Sequence, residues 1–219
     1  MKYTGRIFAV SAILSVHTLY SIYYYYRDGT LDLVDLLGYP LLMALAYWSG
    51  KQFDKSKYYS ENDILTGLYN RRYVMKKFSR YLLLSDRKNS NLFLLIIDCD
   101  NFKEINDKYG HQTGDEVLTN IATILKHATK KQDIVARWGG DEFLILGHYK
   151  EESELPTLLQ NIHTEIKAYS RKKAFEVGIS IGATIYPDDA KNIDDIITNA
   201  DQKMYQQKQQ RKQGDGSAS

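Results

Sequence analysis

Arg137-Trp138-Gly139-Gly140-Asp141-Glu142-Phe143 joins two runs that read as short strands, Ile134 to Trp138 and Glu142 to Gly147. Two consecutive glycines between β-like runs predict a tight hairpin turn, because both central positions tolerate positive φ. Alone, this is turn chemistry with two solvated acids. A second strand end changes its weight. Leu92 to Ile97 is a continuous apolar run, as in a strand buried on both faces, and it stops at Asp98-Cys99-Asp100. In α/β sheets, ligands bind beyond such ends. If the strands are neighbours, Asp98 and Asp141 face each other across the rim. Two carboxylates about 4 Å apart repel by roughly 4 kcal/mol at an effective dielectric of about 20, so the pair calls for a cation or a shared proton. All-oxygen ligation favours magnesium or manganese over zinc. Magnesium held by one or two carboxylates usually keeps phosphate as a further ligand.

The flanking segments supply the rest of a domain. Apolar residues at Tyr73, Val74, Phe78, Tyr81 and Leu82 form a helical stripe from about Asn70 to Leu84. Asn101 to Tyr109 and Thr113 to Thr129 read as helices separated by Gly-His-Gln-Thr-Gly, and another helix follows from about Glu151 to Tyr169. The first of these opens at Asn101-Phe102-Lys103, offering free N–H groups and a dipole to an anion. Phe175 to Tyr186 alternates, with Gly178, Ser180 and Gly182 forming one slim face suited to close packing. Asn192 to about Gln210 is a final helix, with a disordered tail over 214–219. Helices interspersed with a few apolar strands indicate an α/β or α+β domain. There is no GxxxxGK, which excludes a P-loop enzyme.

The composition of all 219 residues is ordinary, 43% hydrophobic and 26% charged with net charge +2, which gives no support to nucleic-acid binding through a basic surface. One cysteine, Cys99, excludes an intramolecular disulfide framework and a multi-cysteine zinc site. These averages hide a division. Residues 1–50 carry six of the 56 charged side chains, roughly 12% against about 30% in the remainder. Ile7 to Tyr26 contains no formal charge over twenty residues, enough to cross a bilayer, and ends in four tyrosines suited to the interface. A shorter stretch containing Pro40 extends to about 31–50 and predicts a second span. Lys2 and Arg6 before the first span, and Lys51, Lys55 and Lys57 after the second, place both termini in the cytoplasm. Residues 51–61 read as a linker or helical extension. The expectation is a multi-pass protein of the cell membrane, the lipid bilayer a partner, followed by the α/β domain over 62–213.

Six ordered motifs give this domain a specific resemblance. Asp63-Ile-Leu-Thr-Gly-Leu-Tyr-Asn-Arg-Arg72, Asp98-Cys-Asp-Asn-Phe-Lys-Glu-Ile-Asn-Asp107, Gly110-His-Gln-Thr-Gly-Asp115, Gly139-Gly-Asp-Glu-Phe143, Ser180-Ile-Gly182 and Ala200-Asp201 with Tyr205 and Lys208 stand here at family spacing. The chain resembles the GGDEF family of diguanylate cyclases. The resemblance implies a mainly antiparallel central sheet flanked by helices. It also implies condensation of two GTP into cyclic di-GMP with release of two pyrophosphates. By the same resemblance, Asp98 and Asp141 hold Mg2+ or Mn2+ with the Cys99 carbonyl. Glu142 lies beside the metal and the attacking hydroxyl, and either it or Asp141 is the base. Asn106 and Asp115 read guanine, and His111 contacts the nucleotide nearby. Phe102 and Lys103 meet the phosphates with Lys208, while Gly139 and Gly140 let the backbone approach the nucleotide. Each domain holds one GTP, so a homodimer is implied. Two departures stand out. Lys130-Lys-Gln-Asp133 occupies the place of an inhibitory Arg-x-x-Asp, and lysine lacks the planar fork, which puts product inhibition in doubt. Arg211-Lys212 stands where a glycine-arginine pair is usual, so Lys212 reaches a phosphate more weakly. A rival reading is a non-catalytic receptor for GTP or cyclic di-GMP.

Overall fold

The computed structural model describes residues 3–30, 33–88 and 90–216, with the side chains of 33–36, 88, 212 and 214–216 outside the described set. The chain divides into two compact units, 1–60 and 61–219.

The first unit is a pair of helices, α1 (Thr4–Asp28) and α2 (Leu33–Glu61). They run antiparallel. The carboxylate of Asp54 accepts from the Gly5 N–H at 2.7 Å and pairs with Arg6 at 3.3 Å, while Thr18 and Tyr39 share a hydrogen bond at 3.1 Å. The absence of side chains at Gly5 and Gly50 permits this approach: a Cβ on Gly50 would lie 2.6 Å from Arg6 Cα. Among the described residues one helix, α1, is long and apolar enough to cross a membrane. The expected second span does not reach that standard. Leu31 and Asp32 lie outside the described residues, and 33–50 form the first part of a helix that contains Pro40 and continues through the charged residues 51–61. Residues 51–61 are therefore helical.

The second unit is a five-stranded mixed sheet flanked by helices on both faces. Its order is β1 (Tyr69–Asn70), β3 (Ile134–Arg137), β4 (Glu142–Tyr149), β2 (Asn91–Cys99), β5 (Ile179–Tyr186). Only β1 and β3 run parallel; the other neighbours are antiparallel. Alternation along the strands divides the core in two. Leu92, Leu94 and Ile96 face α3 (Arg71–Lys88) and α7 (Ile193–Gly216), where they meet Val74, Phe78, Ile196 and Met204. Phe93, Leu95, Ile97 and Cys99 face α5 (His111–Ala128) and α6 (Glu154–Ser170), with α4 (Phe102–Tyr109) adding Ile105. The continuous apolar run of β2 thus reflects burial on both faces.

Three boundaries and the conformation of one turn differ from expectation. β5 begins at Ile179, because Phe175 to Gly178 leave the ladder, although the slim face is present: Gly182 lies against the α7 backbone at Ala200 and Met204. Only Gly110, with φ +85°, separates α4 from α5, since its left-handed backbone makes the whole turn. α7 continues to Gly216, past the expected end near 210. Neither Gly139 nor Gly140 has positive φ; a Cβ on Gly139 would meet the Glu142 carboxylate, while one on Gly140 would meet nothing within 4 Å.

Candidate active site

β2 and β4 deliver the acids to one rim. Asp98 is the direct cross-strand partner of Glu142, and the Cys99 N–H donates to the Asp141 carbonyl at 3.1 Å. The turn is tight because the N–H groups of Trp138 and Gly139 both donate to the Glu142 carbonyl, at 2.8 and 3.3 Å. A Cβ on Gly139 would lie 2.5 Å from Glu142 Oε2, so the carboxylate folds across the space that glycine leaves. Phe143 fixes the turn from below, fully buried against the α5 and α6 side. Burying such a ring contributes about 1.5–3 kcal/mol.

The electrostatics of this rim favour a cation. Asp98 is 5% exposed, and its carboxyl is held above the usual range by burial, then by Asp141 and Asp100, despite Lys208. Burial also raises Glu142, with Asp98, Asp141 and Asp201 adding to it. The Lys208 ammonium donates to Asp98 Oδ1 at 2.5 Å. Burial works against its charge, yet the pairing with Asp98 raises its pKa overall. One lysine thus faces several acids. The set expected from the sequence offers two carboxylates and a main-chain carbonyl; among the described residues no cluster of three acidic, histidine or cysteine side chains is poised to hold a metal. This sparse oxygen set suits a divalent ion that keeps water or phosphate in its remaining positions. The Cys99 thiol points into the core, fully buried, and burial pushes its pKa up, which leaves only its main chain at the rim.

Beyond Asp98 the chain prepares a second part of the site. Asn101 adopts φ +52° and turns the backbone into α4, whose first residues are Phe102 and Lys103. Phe102 packs partly against the core and Lys103 is exposed. Asn106 lies against Gly114, with its Oδ1 buried and lacking a partner among the described residues. Gly114 immediately precedes Asp115, and His111 and Asp115 are exposed in the first turns of α5. An orphaned amide oxygen can take a hydrogen-bond donor from a ligand. A cavity of about 490 Å3 opens beside Asp100, Asn101, Gly178, Lys208 and Arg211, and the acids Asp98 and Asp141 do not line it. Lys212 belongs to α7, but its side chain lies outside the described residues.

Two features escape a linear reading. Arg137 donates to the Gly140 carbonyl from Nε at 3.0 Å and Nη2 at 2.6 Å, and its Nη1 reaches both Asp63 oxygens at 3.3 Å. Asp63 also accepts from Thr66 N–H and Oγ1–H. This clamp fastens the signature turn to the Asp63 motif, 74 residues earlier. Asp100, two residues beyond Asp98, bonds Ser180 at 2.6 Å and Arg211 at 2.8 Å. The sequence displays all these residues, but only the fold pairs them. Lys130 and Asp133 lie elsewhere, before β3: Asp133 accepts the Lys130 N–H at 2.9 Å, and the Lys130 ammonium pairs with Glu154.

Comparison with known proteins locates this arrangement. Residues 60–214 match the family model described as diguanylate cyclase, GGDEF domain. Diguanylate cyclase TpbB of Pseudomonas aeruginosa is 33% identical over 177 residues, covering 78% of this chain and 41% of TpbB. Diguanylate cyclase DosC of Escherichia coli is 35% identical over 147 residues, 65% of this chain and 32% of DosC. The chain therefore spans well under half the length of these relatives. The solved GGDEF domain of TpbB superposes with a TM-score of 0.64 at 35% identity, over 68% of this chain and 89% of that one.

Proposed function

Since this chain belongs to the GGDEF domain family of diguanylate cyclases, we propose that it condenses two GTP into cyclic di-GMP and releases two pyrophosphates. The observation that carries this reading is the rim itself: Asp98 opposite Glu142, Asp141 tied to Cys99 through the backbone, and Lys208 bonded to Asp98. Asp98, Asp141 and the Cys99 carbonyl would hold a divalent ion, Mg2+ or Mn2+. When bound, that ion supplies Lewis-acid stabilisation of charge on the phosphoryl oxygens. Lys208 then leaves Asp98 for a phosphate, assisted by Phe102 and Lys103 at the start of α4 and by Lys212. Asn106 and Asp115 orient the guanine, whose edge carries a carbonyl and two donors, with His111 nearby. Adenine lacks that edge, which gives the site its base preference. Gly139 and Gly140 admit the nucleotide close to the backbone. Asp141 or Glu142 accepts the proton from the 3′-hydroxyl as it attacks the α-phosphate of the other GTP. Each domain binds one GTP, so two copies meet face to face as a homodimer.

Lys130 pairs with Glu154 and lacks a guanidinium fork, so the Lys130–Asp133 turn is a poor product-inhibition site. The N-terminal helices anchor the enzyme, α1 crossing the bilayer and α2 returning the chain, with the termini and the catalytic domain in the cytoplasm. The purified 219-residue chain in detergent with GTP and Mg2+ or Mn2+ should form cyclic di-GMP, and none with ATP or after Asp141→Ala. Absence of any cyclic dinucleotide from a dimeric, folded preparation would refute the activity.

A further inference from the structure

The end of the sheet remote from Asp98 carries another groove, of about 680 Å3, bounded by α3, the start of β3 and the end of β4. In the β2–β4 register Asn91 opposes Tyr149 there, while Asp98 opposes Glu142 at the rim. Seven residues of strand, about 23 Å, separate the two places.

Its charge is one-sided. Lys77, Arg80 and Lys150 line the groove, and among the described residues none of them forms an ion pair. Lys130 and Glu154, also on its border, neutralise each other. The wall is aromatic: Tyr81 and His148 stack with ring centroids 5.2 Å apart and planes 19° from parallel. Their polar edges are engaged, the Tyr81 hydroxyl donating to the Gln132 carbonyl at 2.5 Å and His148 Nε2 to the Tyr81 carbonyl at 3.0 Å. The outer ring faces, Arg80 and Lys150 therefore remain to meet a ligand, with the Lys77 ammonium 5.6 Å from the Tyr73 ring centroid. Ser90 gives an independent indication. It lines the same groove, is only 7% exposed, and its Oγ is buried without a hydrogen-bond partner among the described residues. A buried hydroxyl left in that state is costly, and a ligand acceptor would satisfy it.

We propose that this groove binds a phosphate monoester carrying an aromatic ring, of mononucleotide size. Three unpaired cations match a dianionic monoester better than a singly charged diester. Arg80 supplies the planar fork for phosphate, Lys77 and Lys150 the point charges, and Ser90 a short hydroxyl donor. The ring lies against the Tyr81–His148 wall. None of these residues belongs to the catalytic rim, so the site stands whether or not the chain is a cyclase.

The test is calorimetric titration of guanosine 5′-monophosphate into the full-length protein in detergent, with the catalytic site first filled by a non-hydrolysable GTP analogue. Saturable binding is expected. Guanosine and inorganic phosphate should each bind at least about tenfold more weakly, and Arg80→Ala and Lys150→Ala should each weaken the monophosphate by about tenfold or more. Ser90→Ala should weaken it less, and Lys126→Ala on α5 not at all. Absence of binding, or binding unchanged in an Arg80→Ala/Lys150→Ala double variant with a native circular dichroism spectrum, overturns the site. Inorganic phosphate binding as tightly as the monophosphate overturns the aromatic half, and tighter binding of cyclic di-GMP overturns the monoester assignment. GTP turnover measured on the same variants without the analogue reports separately on the cyclase reading.

Discussion

Replacing Arg137 by alanine removes a clamp without touching an acid. Its guanidinium makes contacts of 2.6 and 3.0 Å to the Gly140 carbonyl and two of 3.3 Å to Asp63, with the side chains 18% and 23% exposed. A hydrogen bond to a charged donor contributes about 1.5–3 kcal/mol, so the bifurcated contact with Gly140 is assigned about 2 kcal/mol. The Asp63 contacts are longer than good hydrogen bonds, and partial exposure screens them, which leaves about 1 kcal/mol. A loss of about 3 kcal/mol is survivable for a domain of ordinary stability. With a urea m-value of about 2 kcal/mol/M, the midpoint should fall by about 1.5 M. Activity should suffer more than stability. Asp141 and Glu142 follow Gly140 directly, and a displacement of about 1 Å at reacting groups costs about a hundredfold in rate. Arg137→Lys should recover part of the stability but little of the rate, because an ammonium cannot serve Gly140 and Asp63 together. The assays are urea unfolding followed by circular dichroism and GTP turnover well below the midpoint. A midpoint shift under about 0.3 M with turnover within about threefold of the parent would refute the clamp.

Gly114→Ala drives a Cβ into Asn106 Oδ1 and within 3.1 Å of Phe102 Cζ, while a helical alanine restores about 1 kcal/mol of propensity; KM for GTP should rise about tenfold with little change in the unfolding midpoint. Asp133 is raised by burial, only partly offset by the Lys130 N–H and charge, and its Oδ1 lacks a partner among the described residues. A carboxyl raised in the folded state costs stability above both its pKa values, so Asp133→Asn should stabilise at pH 7.5 by about 1 kcal/mol, and the gain should vanish below about pH 4; an equal gain at both pH values would contradict the cause. Gly182→Ala should cost about 3 kcal/mol or more, read as lost soluble expression or a lowered urea midpoint, because the new methyl meets α7 backbone at Ala200 and Met204 rather than a side chain that can move. Removing divalent ions with EDTA should stop turnover reversibly, and Asp98→Asn should make that loss permanent at any Mg2+ concentration.

Much of this protein is local, and local features can be read from the chain. The buried strand Leu92–Ile97 announces itself by an unbroken apolar run, α3 by its stripe, and the slim face of β5 by Gly178, Ser180 and Gly182. The candidate site was legible because its motifs are short and each ends an element: Asp98 closes β2, Asn101 opens α4, and Gly139-Gly140 precede β4. A misreading fell where one residue does the work of a loop, as at Gly110, while residues 51–61, read as a linker or helical extension, are helical. The positive φ expected of Gly139 and Gly140 is absent; at Gly139 the need is space for the Glu142 carboxylate, a contact no sequence spacing displays.

By itself, then, the amino-acid order determined the secondary structure, the division near residue 50 and the chemical inventory of the site, because these depend on periodicity, charge and motifs a few residues long. Tertiary structure alone decided which inventory members meet. Register placed Asp98 opposite Glu142 rather than Asp141. Packing set Lys208 on Asp98 from 110 residues away and Arg137 between Asp63 and Gly140. It also gathered Lys77, Arg80, Ser90 and Lys150 around one groove. Such contacts join positions whose separation along the chain carries no signal, since they are fixed by strand order and helix packing and not by the residues between them.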